Sequence, residues 1–327
     1  MSAAARIIRK GRRFLVATHR NPDGDALGSA LALAAGLRKF GKTAKVYDAD
    51  PVPGPLRFLP GSSKVSRTLG NKEMFDATFV VDCSNLIRVG EVFLSHPGKG
   101  PTVILDHHAR GARDGDLRVV DPNAASSGVV VHRLLRRLGL EIDRAIATSL
   151  YVTLVTDTGN FRYANTDAGV LSLASALVRA GANPDAVSRA LNDMAARGRL
   201  DLLKRALGTL ELFDGGRIGC VTVTRAMLRR SGARIEMADD FVDYPRTLAS
   251  VEIAVLFRES KEGWRVSLRS KTYADVGAAA VRLGGGGHRR AAGFTLPGAF
   301  PAVKRRTLTV LRRELSKYPV YKRKTAC

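Results

Sequence analysis

The chain has 327 residues, 45% of them hydrophobic and 25% charged, a composition that excludes a disordered protein and suits two domains with separate cores. Fifty-three Lys and Arg against 30 Asp and Glu give a net charge of +23, so the surface field attracts polyanions. Cys83, Cys220 and Cys327 are too far apart for a thiolate metal site, no apolar run approaches the roughly 20 residues of a membrane span, and no signal peptide is read, so a reducing, cytoplasmic setting is expected.

The positive charge is concentrated at the ends. Arg6, Arg9, Lys10, Arg12 and Arg13 crowd the start, and the segment from Lys304 to Lys324 holds nine basic residues against Glu314. Such runs read as solvated faces or tails. Phe14–Thr18 then has the look of a buried strand, and Leu27–Phe40 follows with helical spacing and Gly41 as its stop. Thr78–Val81 and Thr102–Leu105 are two further compact β runs. Helices are expected at Ser126–Leu138, Asp143–Thr156 and Asp167–Ala180. This alternation predicts an α/β domain over residues 1–184, a mostly parallel sheet with helices on both faces.

Residues 185–212 read as a helical linker rich in Ala, Leu and Arg. Beyond it, Ile218–Val223, Val251–Phe257 and Trp264–Leu268 are expected strands, with a helix at Asp275–Leu283. Residues 213–300 are therefore a second, smaller α/β domain, and 301–327 a basic, helical C-terminal tail. No internal repeat occurs, and the one low-complexity stretch is Gly284-Gly285-Gly286-Gly287.

Acids and histidines gather where the first domain's strands end. The first strand runs into His19-Arg20-Asn21-Pro22-Asp23-Gly24-Asp25, another ends at Asp82, and a third at Asp106-His107-His108. Asp157 follows an apolar helical run. In an open parallel sheet the carboxyl ends of the strands line one edge, where ligands bind. One Asp at a strand end is ordinarily a turn or cap residue. Here, however, three of the chain's six histidines lie at these ends and a fourth, His288, abuts the glycine run, leaving His96 and His132 as structural. Carboxylates with imidazoles suit a divalent ion such as Mn²⁺. Two such ions would clamp a phosphoryl group.

These residues resemble the signature motifs of the DHH phosphoesterase family: His19 to Ser29, Val80-Val81-Asp82, Asp106-His107-His108 and Thr156-Asp157-Thr158-Gly159. The second domain resembles the DHHA1 substrate-binding domain through Val266-Ser267-Leu268-Arg269-Ser270 and Gly284 to Gly293. The layout is similar to that of the family's stand-alone bacterial oligoribonucleases, which also remove the 3′-phosphate of 3′-phosphoadenosine 5′-phosphate. The resemblance implies that His19, Asp23 and Asp82 hold one Mn²⁺, and that Asp25, Asp82, His107 and Asp157 hold the other, with Mg²⁺ or Co²⁺ as substitutes. It implies that His108 faces the scissile phosphate and that Asp106 orients a histidine. It further implies short RNA oligonucleotides or small nucleotide phosphates as partners, no membrane, and a homodimer. Asn85 departs from the pattern, standing where many relatives carry an acid, and the basic tail lies outside it.

In the second domain, glycine lets backbone N–H groups approach a phosphate closely. Gly285, Gly286 and Gly287, with His288, Arg289, Arg269 and Ser267, read as a phosphate-binding set, and Arg supplies a fork for phosphate. Arg258 and Arg290 are further candidates, as are Tyr244 and Arg246, which serve equally well as packing residues. Competing readings are a cyclic-dinucleotide phosphodiesterase, a longer single-strand exonuclease, and, in another class, a non-catalytic nucleic-acid binder. Aromatics at only 6% speak against a stacking surface for RNA.

Overall fold

The computed structural model describes residues 1–108, 114–192 and 197–318. The chain divides into two compact units, 1–194 and 195–327. The first unit contains α1 (Ser2–Lys10), β1 (Arg13–Ala17), α2 (Gly24–Lys39), β2 (Thr43–Tyr47), β3 (Ala77–Val81), α3 (Glu91–Ser95), β4 (Thr102–Asp106) and β5 (Leu117–Val120), followed by α4 (Ser127–Arg137), α5 (Arg144–Asp157), α6 (Ala168–Arg179) and α7 (Pro184–Asn192). All five strands are parallel, in the order β2-β1-β3-β4-β5. Successive residues of β1 serve opposite cores. Phe14 and Val16 pack with α2, α4 and α5, whereas Leu15 and Ala17 join Tyr47, Phe93 and Ile104 on the other face. Burial on both faces is what makes the central strands read as uninterrupted apolar runs.

The two outer strands were not visible in the sequence. Lys45 interrupts β2 and pairs with Glu73 at 2.6 Å, and Arg118 interrupts β5; both strands are sheet edges, where a charge costs little. The basic N-terminus is a solvated face: the helix α1 exposes Arg6, Arg9 and Lys10 and buries Ala4, Ala5 and Ile8.

The second unit contains α8 (Arg197–Leu207), β6 (Glu211–Phe213), β7 (Ile218–Val223), α9 (Arg225–Ser231), α10 (Asp243–Thr247), β8 (Ile253–Glu259), β9 (Trp264–Ser270), α11 (Val276–Val281), β10 (Gly286–Gly287), β11 (Ala291–Leu296) and α12 (Phe300–Leu315). Its sheet runs β10-β11-β9-β8-β7-β6, antiparallel except between β7 and β8. Two expectations are refined here. The helical reading of Asp185–Leu212 holds for α7 and α8, with 193–196 outside the described residues, but ends before the strand β6, and Leu202 and Ala206 of α8 pack against Val221 and Phe241 within the second unit's core. The basic segment after Pro301 is the amphipathic α12, whose Val303, Leu308, Leu311 and Leu315 are buried in that unit's other core. Of this segment, residues 319–327 lie outside the described residues. Among the described residues no helix is long and apolar enough to cross a membrane.

Candidate active site

Each motif of the first unit sits at the carboxyl edge of its sheet. His19 follows β1, Asp82 follows β3, Asp106 ends β4, and Asp157 ends α5. The helix α2 starts at the site: Asp23 is its N-cap and accepts the Ala26 N–H at 3.0 Å, while Asp25 lies in its first turn. Three helices meet closely here. A Cβ on Gly28 would lie 2.6 Å from the Ser149 carbonyl oxygen, and one on Gly128 only 2.0 Å from Thr153 Oγ1, so glycine at both positions lets α2 and α4 press against α5. That packing brings the Asp25 carboxylate onto the first turn of α4, where it accepts the N–H groups of Ser127 at 2.7 Å and Gly128 at 3.1 Å.

The side chains converge as follows. His19 Nε2 lies 3.5 Å from Asp82 Oδ2, and His107 Nε2 lies 3.7 Å from both Asp25 Oδ2 and Asp82 Oδ1 and 3.1 Å from Asp157 Oδ2. His108 Nδ1 is 3.5 Å from Asp82 Oδ1 and 2.6 Å from Asp106 Oδ1. Three sets of donor atoms, His19/Asp23/Asp82, Asp25/His107/Asp157 and Asp82/His107/His108, each lie within 4.8 Å of one another. Asp82 belongs to two of them and holds a left-handed backbone with φ of 56°, a strained conformation for a non-glycine residue.

The donor chemistry fits a pair of divalent cations. His19 Nδ1 is bonded to the Arg20 carbonyl at 2.9 Å and His107 Nδ1 to the Ala124 carbonyl at 3.1 Å, so both rings turn Nε2 toward the carboxylates, as metal-bound imidazoles do. Burial first, and then neighbouring carboxylates, push Asp25 and Asp82 well above the usual carboxylate range. Burial likewise raises Asp157. Burial opposes charge on His107, yet Asp157 and Asp25 pull it up to about 9. A cluster so rich in buried anions calls for cations among them. Asp106 differs: although burial would raise it, the bond to His108 leads the opposing effects and brings it down to about 2. It also accepts the backbone N–H groups of His107 and His108 and the Ser84 hydroxyl.

Two groups in this region escaped the sequence reading. Ser127 Oγ donates to Asp82 Oδ1 at 3.0 Å while its N–H serves Asp25, so one residue steadies both carboxylates. Ser84 holds Asp106. The only hint was the Ser126-Ser127-Gly128 start of a helix, which is ordinary capping chemistry. Asn85 caps a short turn by accepting the Ile87 N–H at 3.0 Å, and His96 is buried beside Phe75.

In the second unit, period-two alternation turns Ser267 and Arg269 to one face of β9 and Val266 and Leu268 into the core. Gly286 and Gly287 pair antiparallel with Gly293 and Ala292. Gly287 has φ of 138°, and a Cβ there would lie 2.5 Å from the Ala291 carbonyl oxygen. Gly285 is equally closed, 2.1 Å from the Gly293 carbonyl oxygen, whereas a Cβ on Gly286 meets nothing within 4 Å. His288, Arg289 and Arg290 follow on the exposed turn. Arg258 does not join them. It is 4% exposed, bonds to Asp239, and donates to Ser267 Oγ at 3.1 Å. Tyr244 packs against Phe241, and Arg246 pairs with Asp243 at 3.1 Å.

Comparisons with known proteins agree in both halves. Residues 13–154 match the DHH family N-terminal domain and residues 220–317 the DHHA1 domain. The chain is 36% identical over 303 residues to the bifunctional oligoribonuclease and PAP phosphatase NrnA of Thermus thermophilus, spanning 92% of this chain and 90% of that protein. It is 25% identical to the Bacillus subtilis protein of the same name, over 85% of this chain and 87% of that one. An exopolyphosphatase-related protein from Bacteroides fragilis shares the fold with a TM-score of 0.87 at 23% identity, covering 97% of this chain and 95% of that chain.

Proposed function

The chain belongs to the DHH phosphoesterase family, and from that premise we propose that it hydrolyses short oligoribonucleotides to mononucleotides and 3′-phosphoadenosine 5′-phosphate to AMP. The observation that carries the proposal is the convergence of His19, Asp23, Asp25, Asp82, His107 and Asp157 at one sheet edge, in adjoining sets whose donor atoms lie within 4.8 Å of one another. The substrate class is supported by the NrnA relatives, matched along nearly their whole length.

In this reading His19, Asp23 and Asp82 would hold one ion and Asp25, His107 and Asp157, with Asp82, the other. When bound, two Mn²⁺ ions, or Mg²⁺ or Co²⁺ in their place, polarise the phosphoryl group and acidify the attacking water. His108 faces the scissile phosphate, offsets its growing charge and protonates the leaving oxygen. Asp106, through its bond to Nδ1, fixes the orientation of the ring. Ser127 keeps Asp25 and Asp82 in place. The DHHA1 domain would take a substrate phosphate through Arg269, Ser267, Gly285, Gly286, Gly287, His288 and Arg289, with the guanidinium forks as its main donors.

The test is a substrate panel with Mn²⁺: a labelled RNA dinucleotide, a long RNA oligomer, 3′-phosphoadenosine 5′-phosphate and cyclic di-AMP. Rapid release of mononucleotide from the dinucleotide, lost in an Asp106→Ala/His107→Ala variant, is expected. Faster turnover of the long oligomer would move the protein to general exonucleases, and turnover of cyclic di-AMP alone to cyclic-dinucleotide phosphodiesterases.

A further inference from the structure

We propose that Glu252 is a positioning residue for phosphate capture, acting through Arg289 and Arg290; the inference rests on the phosphate role proposed above for the glycine-rich turn. Glu252 lies just before β8, is 5% exposed, and belongs to none of the motifs. Its carboxylate gathers a whole loop. Oε1 accepts the N–H groups of Thr272 at 3.0 Å, Tyr273 at 2.7 Å and Ala274 at 2.9 Å, and Oε2 accepts the Thr272 hydroxyl at 2.7 Å. Its own carbonyl accepts the Lys271 N–H at 2.8 Å. Donors from three consecutive residues are thus folded around one acceptor-only group, which fixes where their carbonyls lie.

Those carbonyls are what the arginines hold. Arg289 Nη2 donates to the Tyr273 carbonyl at 3.2 Å, and Arg290 Nη2 to the Thr272 carbonyl at 3.3 Å. The backbone repeats the link, because the Val276 N–H donates to the Arg289 carbonyl at 2.9 Å and the Ser270 N–H to the Arg290 carbonyl at 3.0 Å. Both arginines are otherwise exposed. A guanidinium carries five N–H donors, so one bond to a fixed carbonyl orients the fork and leaves donors for phosphate. The far end of the loop is anchored as well: Glu314, fully buried on α12, accepts the Asp275 N–H at 3.3 Å, and Asp275 in turn caps α11. Pre-orienting two long, flexible side chains lowers the ordering cost of binding, so the effect belongs in KM.

The test is a cycle on the full-length enzyme with the RNA dinucleotide as substrate, comparing Glu252→Gln, the pair Arg289→Ala/Arg290→Ala, and all three together. Glu252→Gln removes the charge and one of the two acceptor oxygens, and sets an amide NH₂ in the place of Oε2, against the Thr272 N–H. It is expected to raise KM about tenfold, in the range of outer-shell effects, with kcat within about twofold. In the Arg289→Ala/Arg290→Ala background it should add nothing. A KM penalty of the same size in both backgrounds overturns the inference, as does a loss of kcat with KM unchanged. If the arginine pair raises KM and Glu252→Gln does not, the inference falls alone. If the arginine pair leaves KM unchanged, the phosphate role of the turn falls and takes the inference with it. Should Glu252→Gln not fold, Thr272→Val removes only the hydroxyl bond; a KM rise that vanishes in the arginine background supports the inference, and an unchanged KM overturns it.

Discussion

Asp82 and Asp106 both face the His108 Nδ1, at 3.5 Å and 2.6 Å, and differ in what they do. Asp82 is raised by burial and shared between donor sets, whereas Asp106 is brought down to about 2 and bonded to His108. Asp106→Asn should therefore lower kcat by about 10–100-fold, the usual cost of an outer partner, with metal content unchanged by elemental analysis. Loss of metal together with activity would assign Asp106 to the ligands instead. Asp48, at the end of β2, gives a separate test. Burial raises it from 3.8 to about 7, against the Asp50 N–H that it accepts at 2.7 Å, and its Oδ2 is buried without a partner. A carboxyl whose folded pKa is raised contributes stability at acid pH that is lost as pH climbs from about 4 through about 7. Asp48→Asn should gain on the wild type by roughly 4 kcal/mol between pH 4 and pH 8.5, read from denaturant unfolding. A constant gap would contradict the assignment. At this scale the sequence was most informative, since acids and histidines at strand ends are rare enough to stand out. Ser127 and Glu252 were not visible, because a serine opening a helix and a lone acid before a strand are ordinary until their partners, far off in the chain, are known.

The elements were legible where burial is two-sided. β1, β3 and β4 read as compact apolar runs, and α2, α4 and α5 as helical repeats. β2 and β5 were hidden by a single charged residue each, α1 by the basic residues on its exposed face, and the C-terminal segment, read as helical, showed its charge more plainly than the apolar stripe that α12 buries. Charge density says that a surface is wet, not that the segment is unstructured. Glycines carry a prediction of the same kind. Gly287→Ala and Gly286→Ala are chemically identical, yet the first places a Cβ against backbone and the second meets open space. Gly287→Ala should destabilise the second unit by about 2 kcal/mol or more. Gly286→Ala should leave thermal unfolding within a degree or two and raise KM, if substrate phosphate approaches that backbone. Equal melting temperatures for the two variants would contradict the assigned conformation.

For the whole molecule the +23 charge is the dominant property. It does not select a substrate, but it sets a field that concentrates any polyanion and that salt screens. Binding of a long RNA should weaken steeply with added salt, while turnover of a dinucleotide, which offers few phosphates, should change little. A steep slope for both would mean that remote basic residues take part in productive binding. The proposed catalytic centre would need two ions held by six side chains, Asp82 among the donors to both. The most direct measurement is dinucleotide turnover by metal-stripped protein titrated with Mn²⁺, with bound metal counted in parallel for the wild type and Asp82→Asn. The account predicts two ions per chain, activity that appears only as the second is bound, and neither full loading nor turnover in Asp82→Asn. Full activity at one ion per chain, or an Asp82→Asn variant that loads and turns over normally, would contradict it.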